Sequence, residues 1–136
     1  MAVKTNLRVS RSTEALSALQ LGPIVTGAMA GITLSLCVAA VLSLLFYFTS
    51  LNEGILPPVV VGLGIVSIFF SGAIAGKQAG ALGWVHGAIA GLLYVLVVYL
   101  VGVAIVAYPI TFIAILEKLA SGLGLGALGG VLGINL

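Results

Sequence analysis

From Pro23 to Thr49 the chain runs for 27 residues without a charged side chain. A cleavable secretory signal has a shorter apolar core and a small-residue cleavage site after it, and neither description fits here. The run is read as a retained transmembrane helix. Three further segments reach the roughly 20 apolar residues that a spanning helix requires. The four expected spans are about 23–48, 57–76, 84–107 and 111–136. Pro23 suits a first helical turn, Leu51-Asn52-Glu53-Gly54 reads as a short polar turn, and Tyr108-Pro109 interrupts the third run.

Composition leaves little room for another class. The chain is 62% hydrophobic and only 6% charged, against roughly 25% charged residues in soluble domains. Five cations and three anions do not cover the surface of a soluble fold of 136 residues. The expected fold is an all-α integral membrane protein, a four-helix transmembrane bundle. Residues 1–21 form a cytoplasmic basic tail or amphipathic helix (Ser10 to Gln20 being the helical stretch), and residues 22–136 form the four-span domain. The net charge of +2 is too small and scattered for a nucleic-acid partner. Cys37 is the single cysteine; with no Cys/His group at metal-ligand spacing, it is expected to be a plain buried thiol, and no metal or cofactor is implied.

The fourth span admits two readings. Either one long tilted helix carries Glu117 and Lys118 about two turns deep, or a short interfacial helix precedes a span that begins near Leu119. The second is favoured, because a charged pair costs least at the interface. Orientation follows from the cation bias of the loops. Lys4, Arg8, Arg11 and Lys77 fall on one side, Glu53 and the adjacent Glu117 and Lys118 on the other. Both termini are therefore expected in the cytoplasm of a bacterial inner membrane, with Trp84, Tyr47 and Tyr108 as interfacial anchors.

Each span carries a near-repeat of small residues: Gly27-Ala-Met-Ala-Gly31, Gly72-Ala-Ile-Ala-Gly76, Gly87-Ala-Ile-Ala-Gly91 and Gly126-Ala-Leu-Gly-Gly130. Glycines four apart share a helix face, and Ser35, Gly80, Gly83 and Gly122 extend the four faces by a step. Lipid is as apolar as leucine, so membrane helices associate through close backbone approach across such faces. GxxxG-type glycine packing is expected at Gly27, Gly31, Gly72, Gly76, Gly80, Gly83, Gly87, Gly91, Gly122, Gly126 and Gly130. All four motifs fall in the cytoplasmic half, so the helices should converge there and the outer half should be bulkier. Gly87 lies 60 residues after Gly27, and Gly126 54 after Gly72. Two duplicated hairpins related along the membrane normal and simple convergence for packing both account for that offset.

The polar candidates are few. His86, the one histidine, sits at the cytoplasmic start of span three, where it relays protons, senses pH or binds a partner, or simply hydrogen-bonds a loop carbonyl or water. Lys77 enforces topology or meets an anionic headgroup. Glu117 and Lys118 point about 100 degrees apart on a helix and do not form one ion pair. Thr33, Ser35, Ser43, Ser67 and Ser71 are the residues available to line a polar path. No paired acids, triad or phosphate loop is present, so an enzyme is not expected.

Gly83-Trp84-Val85-His86-Gly87-Ala88, continuing through Gly91-Leu92-Leu93-Tyr94, together with Gly129-Gly130-Val131-Leu132-Gly133-Ile134-Asn135, resembles the signature of the YrzE-like membrane proteins of Gram-positive bacteria. The resemblance runs from about Gly22 to the end. It implies a short four-span protein without an assigned function, from genes that often lie near those of accessory subunits of the Sec translocase. It also draws attention to His86 and Asn135 as the polar members of the matching motifs. The expected function is a non-catalytic helper or scaffold subunit of a larger inner-membrane complex, with an oligomeric small transporter, channel or lipid-handling protein as the alternative. The expected partners are membrane lipids and either copies of this chain or a larger membrane complex.

Overall fold

The structure is a computed structural model and describes residues 19–50, 52–106 and 111–136. Four α-helices account for nearly all of them: α1 (Leu21–Phe48), α2 (Leu56–Ala79), α3 (Gly83–Val106) and α4 (Phe112–Asn135), with a 3-10 turn at Glu53–Ile55 before α2. Each helix is long and apolar enough to cross a membrane. At 1.5 Å per residue the 24-residue helices α2, α3 and α4 extend about 36 Å, which exceeds a hydrocarbon core of about 30 Å. The chain is thus an all-helical, multi-pass membrane protein. Prolines enter α2 only in its first turn, at its second and third residues, where the missing N–H has no intrahelical acceptor to serve. Gly80 ends α2 with φ +65°, a left-handed conformation that glycine adopts without a Cβ clash.

Helix directions can be read from the residues that meet. Gly27 faces Ser71 and Ala75, and Gly31 faces Ser71 and Ser67, so α1 and α2 are antiparallel. Gly91, Gly87 and Gly83 face Gly122, Gly126 and Gly130 in turn, so α3 and α4 are antiparallel as well. Gly72 and Gly76 meet Gly126 and Gly130, which makes α2 and α4 parallel. α2 and α3 pack on each other at the centre; α1 covers one side of that pair and α4 the other, and α1 and α4 do not touch. The two hairpins therefore do not occupy equivalent positions, because α2 packs on α3 while α4 never reaches α1.

Burial is concentrated at one end. The buried residues are Ile24 to Gly31 in α1, Ser67 to Gly76 in α2, Gly83 to Val95 in α3 and Gly122 to Gly133 in α4. This closed end holds the start of α1, the Gly80 turn and the finish of α4. At the open end, Leu44, Leu45, Leu96 and Leu100 remain exposed.

Three expectations are corrected or fall outside the described residues. α4 is continuous from Phe112 to Asn135, so no break precedes Leu119. Glu117 and Lys118 are exposed in its second turn. A continuous helix keeps its backbone groups bonded in lipid, while long charged side chains near a helix end reach toward the interface. Cys37 is exposed on α1, because beyond Gly31 that helix buries none of its residues. The expected helix at Ser10 to Gln20 lies outside the described residues, apart from Leu19 and Gln20, which are not helical.

Candidate functional site

The turn into α3 builds the first part of the site. Leu82 has φ +50°, a left-handed conformation that is costly for a branched side chain. Its carbonyl accepts the N–H groups of Val85 and His86 at 3.0 and 3.2 Å. It also lies 3.0 Å from His86 Nδ1. His86 is 1% exposed, and its Nε2 accepts the backbone N–H of Gln20 at 3.1 Å. A carbonyl only accepts and an amide N–H only donates. These two partners together select the neutral imidazole carrying its proton on Nδ1. Gln20 is the residue that precedes α1. One imidazole therefore ties the turn before α3 to the start of α1, across 66 residues of chain.

Beyond this clasp the seam under α1 continues in layers. Ile24, Ala75 and Ala90 form the next cluster. Ser71 and then Ser67 follow on α2, both 0% exposed. Ser71 meets Gly27, and both serines and the Tyr94 ring meet Gly31. Neither Ser67 Oγ nor Ser71 Oγ has a hydrogen-bond partner among the described residues. Other hydroxyls in these helices bond back to their own backbone: Thr26 to Gly22, Thr33 to Met29, Ser35 to Ile32 and Ser121 to Lys118, each at 2.8 Å. A buried hydroxyl without a partner costs roughly 1–3 kcal/mol, so the seam holds two polar groups at a cost that a pair of alanines would avoid.

The opposite seam is built from backbone. The buried residues of α4 are Gly122, Gly126, Gly129, Gly130 and Gly133. A Cβ at Gly126 or Gly130 would run into the α3 backbone at Gly87 or Gly83, and one at Gly129 or Gly133 into the α2 backbone at Phe69 or Ala73. Gly80 differs from the other ten glycines singled out in the sequence. No other atom comes near its Cβ position, and its place in the turn is a matter of φ.

Of the polar candidates, His86, Lys77 and Asn135 lie at the closed end. Lys77 is exposed in the last turn of α2, and Asn135 donates from Nδ2 to the Val131 carbonyl at 3.0 Å. Glu117 is at the open end, apart from them. Thr33 and Ser43 are exposed and Ser35 is half-buried, so Ser67 and Ser71 are the members of the expected polar path that are fully buried. Gln20 gave no sequence signal, since its contribution is a backbone amide. Among the described residues no group of three His, Cys, Asp or Glu side chains could hold a metal ion. At the open end, α3 and α4 leave a cleft of about 160 Å³ lined by Val95, Leu96, Tyr99, Leu100, Ile115, Lys118 and Leu119.

A family model described as a protein of unknown function, DUF3792, matches residues 20–133. The chain belongs to the DUF3792 family. The DUF3792 match begins at Gln20, whose amide reaches His86, and ends at Gly133, the last glycine to meet α2. The clasp, the serine seam and the α4 glycine face are therefore all inside the family region. No curated protein and no solved structure matches the chain.

Proposed function

We propose that this chain is a non-catalytic helper or scaffold subunit of a larger complex in the bacterial inner membrane, with both termini in the cytoplasm. The observation that carries this reading is the division of α1. Its buried residues end at Gly31, and the 17 residues that follow, through Phe48, include none that is buried. A span held at one end and only partly covered along the rest offers a partner helix a long lateral surface, while GxxxG-type contacts at Gly72, Gly76, Gly87, Gly91, Gly126 and Gly130 keep the other three helices together. The YrzE-like resemblance favours a translocation-related complex of a Gram-positive bacterium. The test is native mass spectrometry after mild extraction from the organism's own membrane. The expected result is a complex with larger membrane subunits, and a chain recovered alone or only with its own copies sinks the reading. Reporter fusions at the two termini should both read cytoplasmic.

A second reading, an oligomeric lipid-handling protein or transporter, draws on the apolar cleft between α3 and α4 with Lys118 at its lining. It predicts a homo-oligomer that retains lipid.

A further inference from the structure

We propose that His86 is a pH-sensitive clasp on α1: proton binding at its Nε2 releases the Gln20 amide and lets the start of α1 move away from the α2–α3 pair. Four observations carry this. First, both ring nitrogens are committed. Nδ1 lies 3.0 Å from the Leu82 carbonyl and Nε2 accepts the Gln20 N–H at 3.1 Å. A protonated imidazole has only donors, so the Nε2 proton and the Gln20 bond exclude one another. Imidazole is also the side chain whose charge changes within the physiological range.

Second, α1 makes no contact with α4, so it can shift without disturbing the glycine packing on the far side. Third, its buried residues all lie between Ile24 and Gly31, within three turns of the clasp. Fourth, what α1 covers favours opening. The Ser67 and Ser71 hydroxyls lie beneath it without hydrogen-bond partners, and water admitted to the seam would satisfy both. Relief of two unsatisfied hydroxyls offsets part of the packing lost when α1 lifts. On the described residues packed around this end, α2 contributes one charged side chain, the exposed Lys77, while α1 and α4 contribute none. A cation on His86 thus has no described carboxylate side chain beside it at this end.

The test uses the full chain in lipid nanodiscs. Because His86 is the only histidine, a histidine-selective ¹⁵N label reports one residue. At about pH 8 its spectrum should show a protonated Nδ1 and a bare Nε2; a protonated Nε2 at that pH overturns the proposal outright. Spin labels at Leu21→Cys and Gln78→Cys, in a Cys37→Ser background, then report the distance between the start of α1 and the end of α2. Between about pH 8 and about pH 5 that distance should lengthen and broaden. A control pair at Gln78→Cys and Asn135→Cys, spanning α2 and α4, should stay constant. In His86→Gln, which binds no proton, the pH response of the first pair should be lost. An unchanged first pair, a change of equal size in the control pair, or a response that persists in His86→Gln each overturns the clasp. If His86→Gln does not fold, the wild-type tautomer and the two distance pairs still decide the matter.

Discussion

The 28 residues of α1 bury four, all between Ile24 and Gly31, whereas the 24 residues of α4 bury five, all glycine and spread from Gly122 to Gly133. The two helices flank the same α2–α3 pair. α4 lies in its groove with backbone against it on both sides, Gly83 and Gly87 of α3 on one and Phe69 and Ala73 of α2 on the other. α1 meets Ser67, Ser71 and Ala75 of α2 through a mixture of backbone and side-chain atoms, and is tied at its start by one imidazole. Contact between backbones brings many atoms to optimal separation and leaves no side chain free to yield. The mixed α1 seam is slightly wider, and it also strands two hydroxyls. The comparison makes α4 a fixed wall and α1 a movable one.

Substitutions can break that contrast. Gly126→Leu should have the largest effect, about 3 kcal/mol or more, because its side chain would enter the α3 backbone. A monodisperse variant with unchanged thermal stability in detergent would mean that α4 is not wedged. Gly87→Leu should behave in the same way from the α3 side. Gly27→Ala places a Cβ 2.5 Å from the Ser71 carbonyl oxygen. Among the described residues α1 has no neighbour on its far side and can retreat, so the loss should be about 1–2 kcal/mol. A loss as large as that of Gly126→Leu would make the two seams equally rigid.

Ser71→Ala should leave stability unchanged or raise it by about 1 kcal/mol, since the hydroxyl it removes has no partner. A clear drop in the melting temperature would reveal a bond that this arrangement does not contain. The smallest effects belong to positions outside both seams. Gly124, two residues from Gly126, has nothing near its Cβ position, and Gly124→Ala should gain a few tenths of a kcal/mol, up to about 1. Leu96→Ala, at a side chain 44% exposed, should cost less than about 1 kcal/mol, well below the 2–5 expected of a buried leucine. If Gly124→Ala destabilises as strongly as a change at Gly126, the face of α4 matters less than its glycine content.

Much of the architecture was legible in the residues. Four apolar runs long enough to cross a bilayer core dictate four helices, because every backbone group in lipid must find its partner within the helix. Pro57 and Pro58 mark the start of α2, but the span expected to end near Gly76 runs on to Ala79, and Gly80, expected on the packing face, is instead its cap. His86 stood out as the lone histidine between Trp84 and Gly87, but its partner did not. Gln20 contributes only an amide, and nothing in a side-chain pattern announces an amide 66 residues away.

The division between the two seams was beyond reach for a related reason. Spacing places Ser67, Ser71 and Ala75 on one face of α2 and Gly72 and Gly76 on the next, but it does not say which helix each face will meet. In a soluble helix, the apolar stripe marks the face turned inward. Here every face is apolar, lipid competes on equal terms, and the choice rests on backbone fit among all four helices at once. The same competition left Cys37 facing outward and carried α4 unbroken past Glu117 and Lys118. Chain chemistry therefore sets how many times this protein crosses and where each helix starts and stops. Three-dimensional packing sets which helix is locked, which is free to move, and which polar groups lie between them.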